Sequence, residues 1–334
     1  MSEQALTNTA EDNKNPVVDE VFNIFSNGWN KQVILYGPPG TSKTYSAIII
    51  AANMLGYSGK DYEGASEHLK TCKNFKLVQF HPSYSYEDFV RGITVKPDSQ
   101  DKSKIEYKTE SKIFETFCLQ KGKKVLIIDE INRAPLASVL GELIYGLEYR
   151  NKEITTPYEL EDKKPLVVPD DLYIIGTMNT ADRSIGSIDY AVRRRFAFVQ
   201  VGSSPEIIEG SWSSIGKKAS LLYNRMMDEE NGLFSEDLLA DPEIDVDDIK
   251  IGHTYFLGLK KEIASGEKKK EDENGYLEYR IKYQIKPIYM EYIKDGIINP
   301  SGKERFETIV DTWRAESEKP RFFNLKNCKK SITN

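Results

Sequence analysis

Up to Gln200 the apolar residues fall into two alternating patterns, short unbroken runs and stripes at helical spacing. Val17, Val21, Ile24 and Phe25 recur with a helical period that stops near Gly28. Val33-Ile34-Leu35-Tyr36 is then a short β-rich run entering a Gly/Pro loop, and residues 44–55 read as the helix that follows. Residues 76–80, Val125-Leu126-Ile127-Ile128 and Leu172-Tyr173-Ile174-Ile175 repeat the strand signal. Between them a helix is predicted near residues 112–119, and Leu136, Val139, Leu140, Leu143, Ile144 and Leu147 form one apolar helical stripe. Residues 94–108 read as a charged hairpin, and 153–169 as another hairpin or loop. Strands apolar throughout and alternating with helices predict an α/β fold, a parallel sheet flanked by helices on both faces. Past Gln200 the strand signal fades. A helix is expected over 219–227, an acidic connection over 235–248 and a helix with an internal Pro287 over 279–292. The predicted divisions are a disordered tail (1–16), an α/β core (17–203), a small mostly helical lid (204–300) and a C-terminal tail without an assigned role (301–334).

Composition changes this picture little. With 334 residues, 39% hydrophobic and 29% charged, the chain has the make-up of an ordinary globular protein. A net charge of -6 argues against a surface that attracts nucleic acid everywhere. Cys72, Cys118 and Cys328 form no close-spaced pair, which argues against a disulfide framework or a zinc site. No run is long and apolar enough to span a membrane, and the first residues carry neither a basic nor a hydrophobic leader segment, so no membrane association and a cytoplasmic location are expected.

Three strand ends carry the chemistry. Gly37-Pro38-Pro39-Gly40-Thr41-Ser42-Lys43-Thr44 lies between a strand and a helix, where successive backbone N–H groups can wrap a polyphosphate. Lys43 would reach the β- and γ-phosphates and Thr44 would ligate Mg²⁺. Ser42 stands where the usual pattern has glycine. Asp129 and Glu130 end a buried strand as adjacent carboxylates, the first suited to the Mg²⁺ shell and the second to polarising the attacking water. Asn179 ends the 172–177 run, where a polar group can sense the γ-phosphate, and Asp182 and Arg183 follow it. Arg193, Arg194 and Arg195 cannot all point one way from a helix, so at least one faces solvent or a neighbouring subunit.

These segments resemble the AAA+ NTPases and, within them, the McrB family, the motor subunits of modification-dependent restriction systems. The likeness runs from about residue 17 to 292. It rests on the phosphate loop, Phe80-His81-Pro82-Ser83-Tyr84, Ile128-Asp129-Glu130-Ile131-Asn132-Arg133, Met178-Asn179-Thr180-Ala181-Asp182-Arg183-Ser184 and Ile251-Gly252-His253-Thr254-Tyr255-Phe256. The resemblance implies Walker A residues in Lys43 and Thr44, Walker B in Asp129 and Glu130, and sensor 1 in Asn179. Asp182 and Arg183 match positions tied to hydrolysis and subunit contact, and Arg194 or Arg195 is similar to a finger acting in trans. It further implies ATP or GTP as substrate, Mg²⁺ as cofactor, a homo-oligomer in the form of a hexameric ring, an McrC-like nuclease subunit as partner, and DNA met through that partner or a further segment.

Two other functions compete. A MoxR-like remodeller of protein partners would follow its sensor with Asn-Pro and end the later helix Asp-Arg-Phe, whereas this chain has Asn179-Thr180-Ala181-Asp182 and Arg194-Arg195-Phe196. A nucleic-acid-binding module would stack bases on Tyr84, Tyr86 and Phe89 and meet phosphates with the lysines of 96–108. His81 and His253 lack a second ligand at metal-binding spacing and are expected to be structural.

Overall fold

The computed structural model describes residues 15–97, 105–182, 188–269 and 271–318. The chain divides into two compact units, Met1–Ser203 with Asp247–Gly252, and Ser204–Val246 with His253–Asn334. The strands of the first unit are β1 (Gln32–Gly37), β2 (Phe75–Gln79), β3 (Arg91–Pro97), β4 (Ile105–Ser111), β5 (Lys124–Asp129), β6 (Glu153–Ile154), β7 (Leu166–Val167), β8 (Leu172–Asn179) and β9 (Ala197–Gln200).

Five of these form one sheet in the order β2-β5-β8-β1-β9, and every pair in it is parallel. The unbroken apolar runs have a direct cause. Successive side chains point to opposite faces of a strand, and the central strands β1, β5 and β8 are covered on both faces, whereas the edge strand β2 exposes Lys76, Leu77 and Gln79. Ile34, Leu126, Ile128 and Ile174 pack on one side with Phe80, Phe89 and Leu143. Val33, Leu35, Val125, Ile127 and Ile175 pack on the other with Ala47 and Ile50 of helix Lys43–Met54. The register aligns the strand ends: Gly37 lies beside Asn179, Gln79 beside Asp129, and Ile128 beside Gly176. Polar residues that close three strands therefore share one edge of the sheet.

Two antiparallel ribbons flank this core, β3 with β4 and β6 with β7, at the places where the sequence suggests hairpins. The tip between β3 and β4, residues 98–104, lies outside the described residues. Arg91 at the start of β3 anchors both ribbons to the core. Its guanidinium pairs with Glu115 of helix Ile113–Cys118 at 2.7 Å and donates to the Tyr158 and Lys164 carbonyls, with Arg91 2% and Glu115 5% exposed. The Glu115 hydrogen bonds hold the Arg91 pKa above its ordinary value.

The stripe over 136–147, expected as one helix, is instead two, Leu136–Leu140 and Leu143–Glu148. The break is at Gly141, whose φ is +49° and where a Cβ would stand 2.9 Å from the Tyr86 ring. Periodicity carried across the break because both short helices bury the same side.

The second unit is mostly helical. It contains helices Glu206–Gly210, Gly216–Met226, Lys260–Ala264, Asp272–Arg280, Lys286–Lys294 and Gly302–Glu318. Pro287 does not end its helix. A π-turn at Ile281–Ile285 leads into it, and the widened turn accommodates the ring and missing N–H of proline. Helix Gly302–Glu318 arises from the stretch to which sequence patterning assigns no element. It buries Phe306 and Trp313, and the Trp313 indole N–H donates to the Lys218 carbonyl at 2.9 Å. Among the described residues no helix is long and apolar enough to cross a membrane. Residues 1–14 of the expected N-terminal tail and 319–334 of the C-terminal one lie outside the described residues.

Candidate active site

The loop from Gly37 to Ser42 joins β1 to helix Lys43–Met54 through left-handed backbone at Gly40 (φ +79°) and Ser42 (φ +68°). Glycine adopts that conformation freely, and here a serine occupies it. A Cβ on Gly37 would stand 2.5 Å from the Val201 carbonyl, so no larger residue fits there. The Thr41 hydroxyl donates to the Pro38 carbonyl at 3.0 Å and closes the turn. Lys43, only 7% exposed, donates from Nζ to the Gly37 and Pro38 carbonyls at 2.9 and 2.7 Å. Burial brings its ammonium down to about 8, against the opposing pull of Glu130 and Asp129.

A segment distant in sequence supports this loop. The Gly252 N–H donates to the Pro39 carbonyl at 2.9 Å, and a Cβ on Gly252 would lie 2.0 Å from the Gly40 carbonyl oxygen. The Thr180 hydroxyl donates to the Asp248 carbonyl at 2.7 Å, tying the same segment to the end of β8. The sequence marks Gly252 only as part of a motif, not as a neighbour of the loop.

The carboxylates stand next to it. Asp129 Oδ1 accepts from the Thr44 hydroxyl at 2.8 Å and from the Thr177 hydroxyl at 2.6 Å. Thr177 also accepts from the Glu130 backbone N–H at 3.1 Å, so one hydroxyl fixes both acidic residues. Sequence reasoning missed Thr177, although an aliphatic hydroxyl two residues before Asn179 in a largely apolar strand was a readable signal. Glu130 has left-handed backbone (φ 53°, ψ 47°), which turns its side chain out of the strand direction. Its Oε1 accepts from Asn179 Nδ2 at 2.6 Å, and its other oxygen, buried and without a hydrogen bond, faces Arg133 Nε at 3.4 Å. Burial pushes the Glu130 carboxyl above the usual carboxylate range, with Arg133 pulling the other way. Arg133 also lies 3.7 Å from Asp182.

Lys43, Thr44, Asp129, Glu130, Asn179 and Asp182 are thus brought to one edge of the sheet. Arg183 lies outside the described residues. Arg193, Arg194 and Arg195 are not part of this cluster. They close or follow helix Tyr190–Arg193 and lie at the opposite edge, where Gln32 at the start of β1 donates to the Arg195 carbonyl at 2.8 Å. A strand rising about 3.3 Å per residue puts roughly 16 Å between Gln32 and Gly37. Arg195 is 10% exposed and pairs with Glu148 at 2.7 Å, whereas the Arg194 side chain is 67% exposed and lies 3.9 Å from the same carboxylate oxygen. The Arg193 guanidinium lies over the Phe198 ring, 5.0 Å from its centroid.

Asp129 and the Thr44 hydroxyl are hard oxygen donors in contact at the rim, which suits Mg²⁺ together with water and phosphate oxygens. Among the described residues no group of three or more His, Cys, Asp and Glu forms a separate metal cluster. The imidazole of His253 is 2% exposed, accepts from the Ser204 N–H at 3.0 Å, and is pushed by burial down to about 4, a neutral structural role. Phe89 is fully buried, and Tyr84 stacks on Phe80 at 4.6 Å, so these rings are packing and not a platform for bases. Lys96 and Lys108 of the hairpin pair with Glu110 and Glu106. Burial pushes the Cys118 thiol up to about 12, far from a reactive thiolate.

A parallel sheet with a phosphate loop, paired acids and a sensing amide at its carboxyl edge defines a class, and residues 32–196 match the AAA domain of the dynein-related subfamily. The Escherichia coli (strain K12) type IV methyl-directed restriction enzyme EcoKMcrB subunit is 32% identical over 79% of this chain and 54% of its own length. Residues 32–196 are an AAA domain, and the chain is similar to the AAA+ ATPases of the McrB family. A component of the Bacillus subtilis (strain 168) type II restriction enzyme BsuMI, YdiS, is 26% identical over 49% of this chain and 55% of its own. The chain spans about half the length of these relatives.

Proposed function

We propose that the chain binds a nucleoside triphosphate with Mg²⁺, hydrolyses it in a hexameric ring of its own copies, and drives an McrC-like nuclease subunit in DNA restriction. The observation that carries this reading is the single hydrogen-bonded cluster in which Thr44 and Thr177 meet Asp129, and Asn179 meets Glu130, beside Lys43. Backbone N–H groups from Gly40 to Lys43 and the Lys43 ammonium hold the β- and γ-phosphates. Mg²⁺ held by Thr44 and Asp129 would neutralise charge on those phosphates. Glu130, its burial favouring proton uptake, accepts the proton of the attacking water, and Asn179 fixes its carboxylate while contacting the γ-phosphate.

Charge that develops on the far side of the γ-phosphate calls for a further cation, since Lys43 serves the loop side and Arg133 is engaged by Glu130 and Asp182. Arg194 of a neighbouring copy suits that role, because it is largely exposed and at the wrong edge of the sheet for its own phosphate loop, and it faces Glu148 only at 3.9 Å whereas Arg195 pairs with the same carboxylate at 2.7 Å. A head-to-tail contact of this kind closes into a ring. The likeness to two restriction components favours this reading over remodelling of protein partners.

Hydrolysis of ATP and GTP, measured side by side across protein concentration, tests it. The expected result is turnover that rises more steeply than linearly with concentration and a preference that names the base. Phosphate release strictly proportional to protein would end the shared-site reading, and none with either nucleotide would end the enzymatic one.

A further inference from the structure

From Lys43 to Ala52, helix Lys43–Met54 is buried except at Thr44 and Tyr45. The Thr44 hydroxyl meets Asp129. Tyr45, 43% exposed, instead lays its ring on that of Tyr62, with centroids 5.0 Å apart and planes 12° from parallel. Tyr62 opens helix Tyr62–Thr71, and the cap of that helix fixes its place: Asp61 accepts from the Gly64 N–H at 2.7 Å and from the Tyr57 hydroxyl at 2.6 Å. Tyr62 also packs against the apolar cluster that holds Ala47 and Ile50. A flat, braced aromatic pair thus stands one residue beyond Lys43-Thr44, partly in solvent.

The direction of a bound triphosphate leads there. A helix offers the N–H groups of its first turn to anions, and here that turn is Lys43-Thr44-Tyr45, the Ser46 N–H being bonded to the Ser42 carbonyl at 2.9 Å. The γ-phosphate has to face Glu130 and Asn179, and Mg²⁺ the corner between Thr44 and Asp129. The α-phosphate then meets the end of the turn, at Tyr45, and the nucleoside attached to it leaves beside that ring. We propose that the Tyr45–Tyr62 pair is the platform for the nucleoside of the bound triphosphate, with the base stacked on Tyr45 and Tyr62 holding that ring in place. An exposed ring takes bases of any kind, because every base has a π-face. The platform therefore adds affinity for a nucleotide over bare polyphosphate without selecting the base. This rests on the nucleotide reading above and adds the side chains that hold the part of the substrate the phosphate loop does not touch.

Calorimetric titration of the full chain in the presence of Mg²⁺ compares non-hydrolysable ATP and GTP analogues with inorganic tripolyphosphate. Tyr45→Ala is expected to weaken each analogue that the wild-type chain binds by roughly tenfold, and to change tripolyphosphate affinity by less than about twofold. Tyr45→Phe keeps the ring and should keep the affinity. Tyr45→Leu keeps apolar bulk without a flat face and should fall with the alanine variant, and Tyr62→Ala should show part of the loss. Far-UV circular dichroism and thermal midpoints verify the fold of each variant. Wild-type affinity in both Tyr45→Ala and Tyr45→Leu overturns the inference while the hydrolysis reading stands. An equal loss for tripolyphosphate also overturns it, since Tyr45 would then support the loop and not the nucleoside. Analogue binding with the expected pattern, in a chain that turns over neither ATP nor GTP, upholds the inference and removes the enzymatic reading. A wild-type chain that binds no triphosphate removes both.

Discussion

Lys43 is the residue on which a pH measurement bears most directly. Burial lowers its pKa from 10.5 to about 8, so in that window the unfolded chain holds a proton that the folded chain has released. The unfolded state then binds more protons, and this group makes folding more favourable as pH rises from about 8 to 10.5. A bound triphosphate reverses the local balance by favouring the charged amine. Nucleotide binding near pH 8 is therefore expected to take up a fraction of a proton and to weaken as the solution is made more alkaline. Calorimetric titration in buffers of different ionisation heat measures the uptake, which should vanish in Lys43→Met; binding heats independent of buffer in the wild-type chain would refute it. Thr177 shows what a residue-scale reading from sequence lacks. Its type was visible, but its job depends on β5 and β8 being neighbours, which places its hydroxyl between Asp129 and the Glu130 N–H.

At the scale of elements, the contacts that matter most join segments far apart in the chain. Arg91 links β3, helix Ile113–Cys118 and the 153–169 loop, and its removal leaves Glu115 buried without a partner. Arg91→Ala is expected to cost about 3–5 kcal/mol of stability, read as a lowered urea midpoint; a change below about 1 kcal/mol would mean that water reaches Glu115. Gly252 joins the 247–252 segment to the phosphate loop so closely that any side chain meets backbone, with the Gly40 oxygen 2.0 Å from the added Cβ. Relieving such a clash by backbone shifts costs roughly 1–3 kcal/mol, so Gly252→Ala should weaken triphosphate binding by about tenfold or more while the far-UV spectrum is kept. Unchanged affinity would show that the loop does not depend on this brace. The strands and most helices were legible because the buried sheet imposes unbroken apolar runs. The break at Gly141 was not, because two short helices burying one side produce the same period as a single longer one.

For the whole molecule, the separation between the acidic cluster and the arginines has a direct test in mixed assemblies. Glu130→Gln keeps Arg194 but removes the proton acceptor, and Arg194→Ala does the reverse. Each alone is expected to fall to about a hundredth of wild-type turnover or less. Mixed in equal amounts they should recover about a quarter of it, since random neighbours in a head-to-tail ring bring an intact acid and an intact arginine together at that fraction of contacts. No recovery, with co-assembly verified by sedimentation, would place both groups in the same copy's site.

The sequence by itself determined the parallel sheet and marked the Gly/Pro loop, the paired acids and Asn179 as candidate site groups, since each is a local pattern of residue type and position at a strand end. Only the tertiary structure decided which of these groups touch, that Gly252 closes on the phosphate loop, and that Glu148 holds buried Arg195 at 2.7 Å while the exposed Arg194 reaches it only at 3.9 Å. The physical reason is that strand order and side-chain burial are set by packing between distant segments. A run of adjacent arginines looks the same in sequence whichever one the fold ties down.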